Sequence, residues 1–526
     1  MATSNASIFQ LIILLVFLHI GCADDVAHPG QKVDIDSDTG PDRDTSSDLE
    51  RPNFVLLLTD DQSYNLGMLG DSGLETPRID SLAQSGVFFS HGYAMSASCA
   101  PSRGTLMTGM YPSSNGHWRN TTTPIASAPD EEFGRNSSMA DEVGVHEDIP
   151  TLIEILKANG YFTGITAKFH LSPPWKFPFD FHSGATLRAP SSQNAVREFM
   201  NAATGKSFFL MANVLQTHRP YRKHIEENPN LPVVSPDEVT LPPHFPDTPK
   251  TRLDYSEYLT TIEHADVTVG AIINALRESG RFENTIFIYT SDQGYCYHRA
   301  KATAYDWGVH VPFAIAGPGI ASNVISEALV GHVDVMPTVL DYADIAIPPT
   351  VQGRSLRPVL EGKAPDVGRT TIVSEHNAHG PAPDSYYPTR SITDGRFRFM
   401  WNMAYKVVPK ESFDLWATAP DARTTPREPA WTCMDATPSD KWQNNAFEEI
   451  IFHKDTFPDA YQLLRQSMFR PEFELYDLHA DPYETRNLAG LPEYTNDVQR
   501  LNTALKTWMK SIGDIGDPRK TPRRTQ

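Results

Sequence analysis

Cysteine is scarce in this chain, with four residues in 526, at positions 22, 99, 296 and 433. Cys22 lies at the edge of an N-terminal apolar segment, so three remain for a mature protein. That is too few for a disulfide framework, and an odd number leaves one thiol free. Its neighbours make Cys99 the candidate. Positive charge is also in deficit, since 45 Lys and Arg face 65 Asp and Glu, a net charge of −20. This balance excludes a general nucleic-acid binder. An anionic substrate would therefore need basic residues gathered locally. Beyond residue 20 no stretch is apolar enough to span a bilayer as a helix, and no internal repeat is present.

The composition is that of a globular protein, at 40% hydrophobic and 21% charged residues. The length exceeds what one hydrophobic core organises, about 250–300 residues. Residues 8–20 are almost unbroken apolar sequence followed by Gly21-Cys22-Ala23. This reads as an export signal of residues 1–23, cleaved after Ala23. The protein would then be secreted or periplasmic, or lysosomal in a eukaryotic cell. Lipidation at Cys22 is the alternative, although His19 fits that motif poorly. Residues 24–50 are rich in Asp, Ser, Gly and Thr without periodicity and read as a disordered acidic linker. Asn120-Thr-Thr and Asn136-Ser-Ser would be glycosylation acceptors in a eukaryotic secretory pathway.

From residue 51 the pattern alternates between strands and helices. Strands are expected at 53–59, 161–167, 207–214, 285–290, 312–316 and 370–374, with helices at 77–84, 151–159 and 254–279. Their alternation predicts an α/β fold, a large, mostly parallel sheet flanked by helices on both faces. After Phe397 the rhythm is lost and Trp, Pro and aromatic residues increase. We therefore expect a catalytic domain over 51–395 and a smaller C-terminal α+β domain over 396–526. Ligands in such sheets bind beyond the carboxyl ends of the strands. Two strands deliver carboxylates there, Asp60-Asp61 and Asp292, the latter followed by Gln293. Each alone would read as a turn or helix cap. Together they offer hard oxygen ligands suited to Ca²⁺ or Mg²⁺.

Cys99-Ala-Pro-Ser-Arg103-Gly-Thr-Leu-Met-Thr-Gly109 begins a helix at its cysteine, and the helix N-terminus with Arg103 favours an anion at position 99. This segment resembles the signature of the formylglycine-dependent sulfatases, which belong to the alkaline phosphatase superfamily. The resemblance implies that a maturation enzyme oxidises Cys99 to Cα-formylglycine, whose hydrate is the nucleophile. It extends from about residue 51 to 488 and implies calcium ligands at Asp60, Asp61, Asp292 and Gln293, with residue 99 completing the set. Gln293 stands where an Asn is commoner. Lys168-Phe-His170 resembles the family's Lys-X-His, and His218 its second active-site histidine. Lys301 falls on its sulfate-binding lysine. Trp307 and His310 depart from the usual Gly and Arg.

Several segments are similar to those of sulfamidases, the heparan N-sulfatases. They are Phe177-Pro-Phe-Asp180, Ser385-Tyr-Tyr-Pro-Thr-Arg390-Ser391, and Phe397-Arg398-Phe399 with Trp401-Asn402. The expected activity is hydrolysis of O-sulfate esters or N-sulfamates on sulfated carbohydrate. Competing readings are an O-sulfatase on another polysaccharide, a phosphodiesterase or phosphonate hydrolase with a second metal site, and a silent glycan-binding module. Lys168 and Lys301 would neutralise the sulfuryl oxygens, and Arg103 a developing alkoxide. His218 and His170 would serve as acid and base, with their roles exchangeable. His376, His379 and Arg390 are candidate substrate contacts, Arg390 competing with a salt bridge between domains. The turn Asp481-Pro-Tyr-Glu484-Thr-Arg-Asn487-Leu488 reads as structural.

Overall fold

A computed structural model describes residues 51–520 apart from 72, 122–142, 185–188, 381–385 and 407–444. The expected export signal, the linker, Asn136, Cys22 and Cys433 lie outside the described residues. Eight strands form the main sheet, namely β1 (Asn53–Thr59), β2 (Val87–Tyr93), β3 (Phe162–Thr166), β4 (Phe181–Ser183), β5 (Phe208–Val214), β6 (Thr285–Ser291), β7 (Phe313–Ala316) and β8 (Val324–Gly331). Their order is β4-β3-β5-β1-β6-β7-β2-β8. β7 runs antiparallel to both of its neighbours, and the other pairs are parallel.

The central strands explain why the chain folds this way. Phe54, Leu56 and Leu58 of β1 enter one hydrophobic cluster, and Val55 and Leu57 enter another on the opposite face. β5 and β6 divide their side chains likewise, through Phe209 and Met211 against Leu210 and Ala212, and through Ile288 against Phe287. A strand apolar at every position can only be satisfied with both faces covered. Each fully buried side chain of this kind contributes about 1.5–3 kcal/mol. One covering helix, Pro249–Glu278, lays Ala265, Val269, Ile272 and Leu276 on the sheet. Another, Leu152–Ala158, begins with a capping box between Thr151 and Glu154. Among the described residues no helix is long and apolar enough to cross a membrane.

A second sheet, antiparallel throughout, has the order β12-β11-β10-β9, from β9 (Ile372–Ala378), β10 (Tyr386–Thr393), β11 (Phe397–Asn402) and β12 (Phe473–Asp477). The helix Thr495–Ile512 packs Leu501, Leu505 and Met509 into its core. The strand expected at 370–374 therefore belongs here and not to the main sheet, because a short apolar run does not encode its neighbour. The expected boundary at 395/396 falls between β10 and β11. β9 also touches the main body, since Glu375 N–H donates to Met95 O (2.8 Å) and Ser374 Oγ to Ala94 O (2.8 Å). The small sheet thus braces the segment that leads from β2 to Cys99.

Candidate active site

β1 and β6 are adjacent and parallel, with Thr59 opposite Ser291, so their carboxyl ends project Asp60, Asp61 and Asp292 at one edge. Asp61 N–H donates to Asp292 Oδ1 (3.2 Å), and Asp61 holds a φ of 67°, a strained value for a residue with a Cβ. Thr217 Oγ1 fixes the Asp60 carbonyl at 2.5 Å. Gln293 follows Asp292, and Gly294 is required next because a Cβ there would lie 1.8 Å from the Trp307 carbonyl oxygen.

Cys99 starts the helix Cys99–Thr108, and it is buried. Ser98 makes no side-chain cap. Asn120 Oδ1 instead accepts from Ala100 N–H at 2.9 Å, satisfying one donor of the first turn. The helix ends at Gly109, whose φ of 61° suits a left-handed C-cap. Cys99 Sγ lies 3.8 Å from Asp60 Oδ1 and 3.3 Å from Gln293 Nε2.

Three cations face the carboxylates. Lys168 Nζ reaches Asp60 Oδ2 at 2.6 Å, and Lys301 Nζ reaches Asp61 Oδ2 at 2.7 Å. Arg103 donates from Nε to Asp292 Oδ2 (3.0 Å) and from Nη1 to Asn213 Oδ1 (2.6 Å). His218 Nε2 lies 3.5 Å from Lys301 Nζ and 3.7 Å from Asp61 Oδ2. Its Nδ1 donates to Arg219 O at 2.6 Å, which leaves Nε2 as the atom turned to the site. His170 is buried with Nδ1 unbonded, at a φ of 42°.

Electrostatics separate these groups. Burial opposes ionisation of Asp60, but Lys168, His218, Arg103 and Lys301 together hold it well below the usual carboxylate range. Burial and the Asp60 charge push Asp292 up to about 6, against Arg103 and Lys168. Burial, then Lys168 and Arg103, hold His170 well below the usual imidazole value, so it is neutral. Burial pushes the Cys99 thiol up to about 12 despite Lys168 and Lys301. Burial thus works against the anion that the helix N-terminus and the nearby cations favour at position 99. The thiol itself is a poor nucleophile.

The donor set fits a hard divalent cation. Oxygen or sulfur atoms of Asp60, Cys99 and Asp292 lie within 4.8 Å of one another, as do ligand atoms of Asp60, Asp61 and His218. Gln293 Nε2 donates to Asp61 Oδ1, while Gln293 Oε1 is buried without a partner. A half-turn of the amide brings that oxygen towards the carboxylates, so Gln293 can act as a fourth oxygen ligand. Both groups of potential ligands share Asp60. Among the described residues no further group of three or more such side chains lies this close together.

The remaining candidates divide. His379 lies beside the nucleophile segment, its Nδ1 3.1 Å from Ser98 Oγ. His376 is buried in β9, and its two ring nitrogens have no hydrogen-bond partner. The substrate contact expected of Arg390 is corrected. Its buried guanidinium is taken by Asp514 (2.5 and 3.0 Å) and Asn377 (2.9 Å), which ties β10 to the chain following the last long helix. His310 is equally occupied, by Asp306 (2.9 Å), by Ser90 O (2.9 Å) and by stacking on Tyr64.

Two contributors escaped sequence reasoning. Asn213 on β5 accepts from Arg103 and donates to Thr166 O (2.8 Å) and Lys168 O (3.0 Å). Its signal was a polar residue near the carboxyl end of a wholly apolar strand. His332 spans Ser102 Oγ (2.8 Å) and Thr290 Oγ1 (3.2 Å), linking the Cys99 helix to β6. No sequence feature marked it. Cys296 is disulfide-bonded, and Cys99 is the free thiol among the described residues.

Carboxylates faced by Lys, Arg and His thus surround the residue that starts the Cys99 helix. The family model described as Sulfatase matches residues 52–345, and that described as N-sulphoglucosamine sulphohydrolase, C-terminal, matches residues 295–425. The chain belongs to the sulfatase family and is a sulfate-ester hydrolase, and members of this family generally use formylglycine and a divalent metal. It is 28% identical over 512 residues to N-sulphoglucosamine sulphohydrolase from Homo sapiens, covering 88% of this chain and 90% of the relative. It is 26% identical over 515 residues to an ulvan-active sulfatase from Formosa agariphila, covering 95% and 88%. Among solved structures, a 2-O GAG sulfatase aligns with a TM-score of 0.61 at 19% identity, covering 91% of this chain and 95% of that one, a likeness of fold.

Proposed function

We propose that this protein removes sulfate from sulfated carbohydrate through a Cα-formylglycine made from Cys99 by a maturation enzyme. Calcium would be held by Asp60, Asp61, Asp292, Gln293 and residue 99. The observation that carries the reading is the convergence of three carboxylates and three cations on a cysteine whose own thiol burial holds un-ionised. Conversion of that residue is what members of the sulfatase family generally use. When present, the hydrated aldehyde supplies one hydroxyl to attack sulfur and another to release it as sulfate, with the metal drawing off charge.

The chain's own groups then take distinct parts. Lys168 and Lys301 neutralise the sulfuryl oxygens in a site shielded from water. Arg103 clamps Asp292 and stabilises developing negative charge beside it. His218 has a side chain 30% exposed, which opens Nε2 to a leaving group, so it is the acid that protonates the departing oxygen or nitrogen. His170, buried and neutral, is the base for the second hydroxyl. His379 stands beside Ser98 as a contact for the sugar.

The substrate we favour is a terminal glucosamine N-sulfate. The C-terminal family match and the human relative named for N-sulphoglucosamine support it. An O-sulfated polysaccharide is the second reading, supported by the ulvan-active relative. The apolar segment at 8–20 and the disulfide at Cys296 support export through an oxidising compartment. The deciding experiment assays N-sulfated and O-sulfated glucosamine side by side with the mature enzyme. Faster release from the N-sulfated sugar is expected. Cleavage of O-sulfated sugars alone would overturn the N-sulfatase assignment.

A further inference from the structure

Lys301 sits in a loop whose own bonds, Lys301 N–H to Tyr295 O (3.1 Å) and Thr303 N–H to Ala300 O (3.0 Å), fix its middle but not its outgoing end. Arg299 and Ala302 have φ values of 63° and 65°, and regular structure resumes at Asp306. The loop's middle is tied to the nucleophile segment, since Ala302 N–H donates to Ala97 O at 2.8 Å. Both of its ends are gripped by one residue of the C-terminal turn. Glu484 Oε2 accepts from Asp306 N–H at 2.8 Å, and the Glu484 main-chain carbonyl accepts from the Arg299 guanidinium.

The grip is itself anchored. Glu484 is buried, with a φ of 55°. The turn is pinned to β12 by Leu475 N–H donating to Asn487 Oδ1 (3.0 Å) and Leu488 N–H to Leu475 O (2.8 Å). Arg398 of β11 approaches Glu484 Oε1 at 3.8 Å and binds Asp306 Oδ1 at 2.5 Å. The turn that reads as structural in the sequence therefore supports the loop carrying Lys301, about 180 residues earlier.

We infer that Glu484 is a positioning residue that sets the Lys301 ammonium against Asp61 and the transferred sulfate. This rests on the reading of Lys301 as a cation for sulfate. An ammonium displaced by about an ångström would lose much of its effect on the transferred group.

The test compares mature, calcium-loaded Glu484→Ala, Glu484→Asp, Glu484→Gln and Lys301→Ala with wild type. Each is read for kcat, KM, inhibition by inorganic sulfate, calcium affinity and Tm. Glu484→Ala is expected to weaken sulfate inhibition about fivefold or more and to lower kcat about tenfold, with calcium affinity unchanged. Glu484→Gln, whose amide oxygen still accepts from Asp306, should restore most of both. Glu484→Asp is too short to reach Asp306 and should repeat the loss even if the Ala variant fails to fold. A lower Tm with sulfate inhibition and kcat within about twofold of wild type would overturn the inference, provided Lys301→Ala itself weakens inhibition. If Lys301→Ala leaves inhibition unchanged, the inference falls together with the reading of Lys301.

Discussion

Asn213→Ala offers the sharpest perturbation of the site, because one amide joins three parts of it. Oδ1 takes the Arg103 Nη1–H at 2.6 Å, while Nδ2 holds the carbonyls of Thr166 and Lys168. Those carbonyls flank Ala167, at a φ of 62°, and stand just ahead of His170, at 42°. Truncation removes a charge-assisted hydrogen bond worth about 1.5–3 kcal/mol and two neutral ones of about 1 kcal/mol each. It also leaves a buried guanidinium donor without its acceptor and takes one donor from each of two carbonyls, so a destabilisation of about 3–5 kcal/mol is expected. In a chain of this size that lowers Tm by several degrees. Loosening Lys168 by about an ångström should cost on the order of 100-fold in kcat. Thermal unfolding and steady-state sulfate release on the same preparation measure both. Asn213→Asp keeps an acceptor for Arg103 but loses both donors, so it should retain more stability than activity. An Ala variant within about 1 °C and about twofold in kcat would refute the claim that this amide holds the site together.

Cys99→Ala should abolish turnover while leaving Tm close to wild type, because the Cys99 side chain makes few polar contacts; sulfate release near the wild-type rate would contradict it. Exhaustive chelation should remove activity and calcium should restore it, and elemental analysis finding no metal in fully active enzyme would exclude the carboxylate site. Glu375 should lower stability as pH rises. Burial and Asp514 push its carboxyl up to about 7 against Arg390, so the folded state keeps a proton that the unfolded chain has already lost. Its stabilising effect is complete below about 4.5 and disappears as pH climbs to about 7. Glu375→Gln should flatten the stability profile across that window, and an unchanged slope in denaturant titrations would refute the assignment.

Much of this arrangement was legible because parallel strands end at a common edge. Asp60, Asp61 and Asp292 were readable as neighbours from two apolar runs that each terminate in acid, although 231 residues separate Asp61 from Asp292. What failed depended on partners that sequence does not pair. Arg390 looked equally suited to a sulfate and to a domain contact, and its partner Asp514 lies 124 residues further on. The run at 370–374 had a strand's composition but no indication of which sheet it joins. The helix end and the nearby arginine at Cys99 could be read from the motif, whereas the opposing cost of its burial is invisible in a linear sequence. Asn213 and His332 act through contacts across the sheet edge, for which a single polar residue gives little warning.

Mass analysis of the peptide carrying residue 99 tests the central claim most directly, on protein purified from a host that has the maturation machinery. A side chain that has lost its sulfur and two hydrogens and gained one oxygen, in preparations whose sulfate release rises with the converted fraction, is the predicted result. Full sulfate release from protein in which Cys99 is wholly an intact thiol would contradict it.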